Sequence, residues 1–108
     1  MTAKLYASPQ RLPDLDVFTV PSEDIEPILD ALTPAVRDPS PAKWMGLGDL
    51  VCNMRDGTRV EVHLYSTRQK QGAFSVGPYP NQVYYRGGTD SGIEQAIRNA
   101  YEHAQKGK

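Results

Sequence analysis

Two alternating apolar runs flank Arg55-Asp56-Gly57, and the way the chain reverses there decides which side chains a domain built on them can bury. Successive strand residues point to opposite faces, so a slip of one residue exchanges the faces. A two-residue turn at Asp56-Gly57 pairs Met54 with Arg59, Cys52 with Glu61 and Leu50 with His63, which leaves both faces mixed. A three-residue turn with Gly57 in the left-handed conformation instead pairs Met54 with Thr58, Cys52 with Val60 and Leu50 with Val62. That register gathers Leu50, Cys52, Met54, Val60, Val62 and Leu64 on one face, and burial selects it.

The same criterion extends the sheet. Residues 67–72 are a polar turn, and pairing Leu64 with Phe74 sets Val62 opposite Val76. Residues 77–82 hold Pro78 and Pro80, which lack ladder donors, so that stretch is expected to be irregular. Residues 83–86 are expected to add a short edge strand before Gly87-Gly88 interrupts the chain. Upstream, residues 16–20 are rich in β-formers and stop at Pro21. Ile25, Ile28, Leu29 and Leu32 then recur with helical spacing, and Asp24 as N-cap would place Pro27 in the first turn. Residues 33–43 carry three prolines and are expected to form a loop or an extended crossing. The last helix has Ser91 with Glu94 as a capping box and a stripe of Ile93, Ala96, Ile97, Ala100, Tyr101 and Ala104.

The order β-α-β-β-β-(β)-α predicts an α+β two-layer sandwich: an antiparallel meander with both helices packed on the face bearing Val60, Val62 and Leu64. Residues 1–14 read as a flexible N-terminal arm and 15–106 as a single domain. At 108 residues, 39% hydrophobic and 23% charged, the composition suits one globular unit. From residue 24 onward the α-β-β-β-α order resembles the double-stranded RNA-binding domain. That family has a lysine cluster at the start of its second helix. The matching positions here are Asp90, Ser91, Gly92, Ile93 and Glu94, so the resemblance extends to topology and not to the phosphate-binding residues.

Charge and cysteine usage narrow the function classes. The formal net charge is -1, without the basic excess that displaces counterions from phosphates, so nucleic acid is not expected as a partner. No apolar run approaches the roughly 18 residues of a membrane span, and no signal-peptide pattern precedes Pro9. Cys52 is the single cysteine, which forbids an intrachain disulfide and fits a reducing, cytoplasmic setting. One cysteine with His63 and His103 does not supply a closed zinc site, and neither a metal nor another cofactor is expected.

Three constellations remain. The selected register makes Asp49 and Ser75 cross-strand neighbours of His63, the residue types of a nucleophilic triad, although mid-strand amides are spent in the ladder and leave no oxyanion donors. Arg86-Gly87-Gly88-Thr89-Asp90-Ser91 enters a helix N-terminus, where free amides favour anions; Asp90 and Glu94 oppose one. Trp44, Tyr65, Tyr79, Tyr84 and Tyr85, with Val51, Arg59 and His63, supply the residue types that dominate protein contacts. Alternation allows only one of Tyr84 and Tyr85 to face inward. The expected function is a non-enzymatic interaction domain that joins a protein partner or its own copy as a homodimer, through the open sheet face or the edge at 83–86. The alternatives are a small-ligand or anion-binding domain at the glycine-rich turn and, behind it, a minor hydrolase.

Overall fold

The hairpin at Gly57 closes in the three-residue register. In the computed structural model, which describes residues 1–6, 12–38, 44–77 and 81–107, Met54 N donates to Thr58 O at 2.8 Å and Gly57 has a φ of 90°. The Asp56 carboxylate accepts from the Thr58 amide at 3.0 Å and from its hydroxyl at 2.6 Å. Side-chain and backbone hydrogen bonds from Thr58 hold the Asp56 carboxyl below its ordinary pKa.

Among the described residues, seven strands and two helices follow one another: β1 (Thr2–Leu5), β2 (Leu15–Thr19), α1 (Ser22–Asp30), β3 (Ala35–Arg37), β4 (Met45–Asn53), β5 (Arg59–Ser66), β6 (Gln71–Val76), β7 (Val83–Thr89) and α2 (Asp90–Lys106). The strands form one sheet in the order β2-β1-β4-β5-β6-β7-β3, and every neighbouring pair is antiparallel. Leu50 lies across from Val62, Cys52 from Val60, Leu64 from Phe74 and His63 from Ser75, as the hydrophobic pattern requires. Both helices stack on the face that carries Leu50, Leu64 and Phe74, and Ile28, Ile93 and Ile97 complete the core with them. Each fully buried Leu or Ile contributes about 1.5–3 kcal/mol. Met54 departs from the expected buried set, being 51% exposed at the hairpin tip, where the core tapers away.

Two strands lie in segments where sequence reasoning assigned none. Residues 1–14 were expected to be an arm, yet Thr2–Leu5 insert between β2 and β4, with Ala3 across from both Phe18 and Leu50. The alternation of buried Ala3 and Leu5 with Thr2 and Lys4 carries that strand, but four residues are too short a run to stand out from a polar terminus. Of residues 33–43, expected to be a loop or an extended crossing, Ala35–Arg37 are extended and pair with β7 as a strand, and 39–43 lie outside the described residues. That pairing also withdraws residues 83–86 from the expected sheet edge. Among the described residues the edges are β2 and β3. The added strands also depart from the α-β-β-β-α order of the RNA-binding resemblance.

Both helix starts differ from expectation. α1 begins at Ser22 after Pro21 and has no side-chain cap, so Pro27 lies inside the helix. Asp24 is buried, and its two carboxylate oxygens lie 3.0 Å from His103 Nδ1 on α2. His103 thereby ties the two helices together. At α2 the cap is Thr89, whose hydroxyl accepts from Gly92 N at 3.0 Å, and not Ser91.

Candidate functional site

With the helices on one face, the opposite face of the sheet is covered by no helix or strand among the described residues. β5 directs Arg59, Glu61, His63 and Tyr65 to it, because Val62 and Leu64 belong to the core. Register adds Asp49 and Val51 from β4, Ala73 and Ser75 from β6, and Tyr84 and Arg86 from β7. Trp44, just before β4, turns over this surface with its ring centroid 5.7 Å from Tyr65 and 6.1 Å from Tyr84. Those tyrosines stand on the two neighbours of β6, so the indole bridges across that strand. Beneath it, Ala73 and Ser75 point outward and are nonetheless 0% exposed. The rings seal them.

Tyr6 extends the group. A Cβ on Gly46 would lie 2.7 Å from Tyr6 Cε2, so the phenol rests on the bare backbone of β4. Burial raises the Tyr6 pKa, and the charges of Asp49 and Tyr65 push it further the same way. Trp44, Tyr65 and Tyr84 are all half-buried, with ring surface left facing outward. The Arg59 guanidinium pairs with Glu61 at 3.1 Å towards the hairpin end of β5, away from the aromatic cluster, so the sheet does not bring Arg59 to it.

The Asp49, His63 and Ser75 neighbourhood divides into two separate contacts. His63 Nδ1 lies 2.6 Å from Asp49 Oδ1, which orients the imidazole. Ser75 Oγ lies 3.1 Å from Tyr65 OH and is wholly buried, so its hydroxyl is engaged by the phenol and screened from any substrate. A relay from carboxylate through imidazole to hydroxyl is not assembled. Tyr85 turns inward and stacks on Phe74 with centroids 5.1 Å apart, which removes it from the interaction surface proposed for it by sequence. Tyr79 lies outside the described residues.

The glycine-rich turn is filled by the protein itself. Arg86 Nε pairs with Asp38 at 3.0 Å. A Cβ at Gly87 would sit 2.0 Å from Leu32 O, and at Gly88, with φ of 66°, 1.9 Å from Ala31 O. The two glycines therefore let β7 touch the C-terminal end of α1. Thr89 caps α2, while buried Asp90 accepts from Ser66 Oγ at 2.5 Å. Arg86, Gly87, Gly88 and Thr89 thus each have a role within the fold itself. Among the described residues no group of three or more His, Cys, Asp and Glu side chains is placed to hold a metal ion.

Sequence reasoning missed Tyr6, Gly46 and Ala73. The signal for Gly46 and Ala73 was the small residue at each position, which a ring such as Tyr6 can cover, but a face of small residues has no periodicity of its own. No protein-family model matches this sequence, and no curated protein or solved structure is significantly similar to it. Geometry alone carries the functional reading. No helix among the described residues is long and apolar enough to cross a membrane.

Proposed function

We propose that this domain is a non-enzymatic interaction module that pairs with a second copy of itself through the uncovered sheet face. The observation that supports this is the Trp44, Tyr65 and Tyr84 cluster, half-buried on a face that no helix or strand covers among the described residues. Aromatic rings bury large area at low entropic cost, and tryptophan and tyrosine dominate contact energetics. Charge favours a self-complementary contact. Lys4, Arg59 and Arg86 share the face with Asp38, Asp49 and Glu61, so two copies meet without net repulsion.

The dimensions allow it. The molecule measures 42 × 37 × 22 Å, the short axis being the sheet and helix stack, so the broad face exceeds the about 800 Å² per partner of a standard interface. The lone, unbridged Cys52 supports assigning the role to the cytoplasm. Sedimentation velocity over a wide concentration range tests the reading. A monomer–dimer equilibrium that shifts to monomer when Tyr84→Lys buries a charge in the contact is expected. A strict monomer at high concentration overturns it.

A further inference from the structure

Sheet edges invite pairing, and proteins blunt them with short strands, prolines and lysines. β3 is three residues long and follows Pro34. β2 has five residues, Leu15–Thr19, with no proline or lysine among them. Its register with β1 shifts between Ala3 and Leu5, so a bulge at Asp16 and Val17 blunts the first part of this edge and leaves Phe18 and Thr19 regular beyond it. Val20 N donates to Met1 O at 2.9 Å. Backbone alternation then sends the amide and carbonyl of Thr19 away from the sheet, where no strand lies among the described residues.

A groove runs beside this edge. It encloses about 900 Å³ between β2, the first residues of α1 and the last two turns of α2. Phe18 and Tyr101, in edge-to-face contact at 5.3 Å, form its apolar floor. Its rim carries Asp14, Asp16 and Glu23, all exposed, and among the described residues no lysine or arginine lines it. His103, which also lines it, is already engaged with Asp24.

We infer that this groove takes an extended basic segment of another protein, which adds to β2 as an eighth strand. The open backbone of β2 supplies main-chain hydrogen bonds. Alternate side chains of the segment would then fall on the Phe18 and Tyr101 floor and on the acidic rim. Lysine or arginine at the rim positions meets Asp14, Asp16 and Glu23. A second copy of this chain is the wrong occupant: pairing β2 with β2 sets one acidic rim against another. The surface is distinct from the aromatic face, so this inference stands whether or not the domain dimerises.

The test uses the full chain and a fluorescein-labelled peptide of lysine–threonine repeats, with a glutamate–threonine peptide as control. Saturable anisotropy change with the lysine peptide alone, and amide shifts confined to residues 14–19 and 101–107, are expected. Asp16→Lys with Glu23→Lys should weaken binding at least about tenfold, the scale set by lost charge pairs across an interface. Thr19→Pro removes an amide that points out of the sheet, so the fold is retained. It should weaken binding about tenfold at an unchanged Tm. Equal binding by either variant, shifts on the aromatic face instead, or no saturable binding overturns the inference. So do concentration-dependent β2 shifts in the absence of peptide, since they would mean that the edge takes its own copy.

Discussion

Gly57 and Gly88 share a left-handed backbone and differ in what surrounds them, so alanine at each separates two physical costs. Gly57 has a φ of 90° and nothing within 4 Å of a built Cβ. Gly88 has a φ of 66° and a Cβ that would fall 1.9 Å from Ala31 O and 3.1 Å from Ala31 C. The left-handed conformation costs a non-glycine residue roughly 1–2 kcal/mol, offset by about 0.4–1 kcal/mol because alanine also restricts the unfolded chain. Gly57→Ala should therefore lose about 1 kcal/mol. Gly88→Ala meets the same penalty and also forces β7 away from α1; overpacking against a backbone that cannot rotate aside adds about 1–3 kcal/mol. The sum, about 2–4 kcal/mol, is a large part of the 5–15 kcal/mol typical of a domain. For a chain of this size 1 kcal/mol shifts Tm by about 5 °C, so the losses are about 5 °C at Gly57 and about 10–20 °C at Gly88. Urea and thermal unfolding followed by circular dichroism measure both. A Gly88→Ala loss no greater than that of Gly57→Ala refutes the reasoning: the glycine pair would not be a packing joint, and the anion reading of the turn would regain its ground.

Further expectations concern single contacts. Tyr65→Phe leaves the buried Ser75 hydroxyl without its phenol partner and should cost about 1–2 kcal/mol; adding Ser75→Ala should recover part of that in a double-mutant cycle by urea unfolding. Glu94 is 1% exposed, and both its carboxylate oxygens lack a hydrogen bond, with Arg98 Nε 3.6 Å away. Glu94→Leu alone leaves the Arg98 guanidinium, only 15% exposed, without its carboxylate and should destabilise the domain, whereas Glu94→Leu with Arg98→Leu should be neutral or stabilising by about 1–4 kcal/mol; a double variant less stable than the single one would mean that the ion pair outweighs the desolvation. Absorbance titration should find one tyrosine above the ordinary value, and Asp49→Asn should bring it part of the way down. The folded-state pKa of Tyr6 is raised, so its contribution is complete below the unfolded value of about 10 and fades as pH rises through the folded one. Asp56 has the opposite sign: its lowered folded pKa gives stability that is complete above about pH 4 and fades as pH falls through the folded value.

The meander was legible because β4, β5 and β6 are bound to one another by a pattern with a single consistent register. Leu50, Val62, Leu64 and Phe74 are meaningless on a face unless the turn at Gly57 has three residues. The remaining strands carried no such redundancy. β1 and β3 offer four and three residues, and their place in the sheet is set by partners far along the chain, Leu50 for Ala3 and Arg86 for Val36. Helix starts failed for a related reason. Asp24 and Thr89 are both good caps by composition, and only the position of His103 and Gly92 in space assigns the cap to one and a tether to the other. At the site, alternation placed Tyr65 and His63 outward, and it said that Tyr84 and Tyr85 must part company. It did not foresee that Trp44 would fold back over β6, because that depends on Ala73 and Ser75 being small enough to lie under a ring.

Trp44 is the sole tryptophan, so its fluorescence reports on the aromatic face alone. Acrylamide quenching, measured as protein concentration is raised through the range where sedimentation detects association, tests whether the exposed side of that ring meets a second copy. Quenching should weaken in step with the dimer fraction. A dimer whose Trp44 stays as accessible as in the dilute monomer would contradict the account and move the contact to another surface.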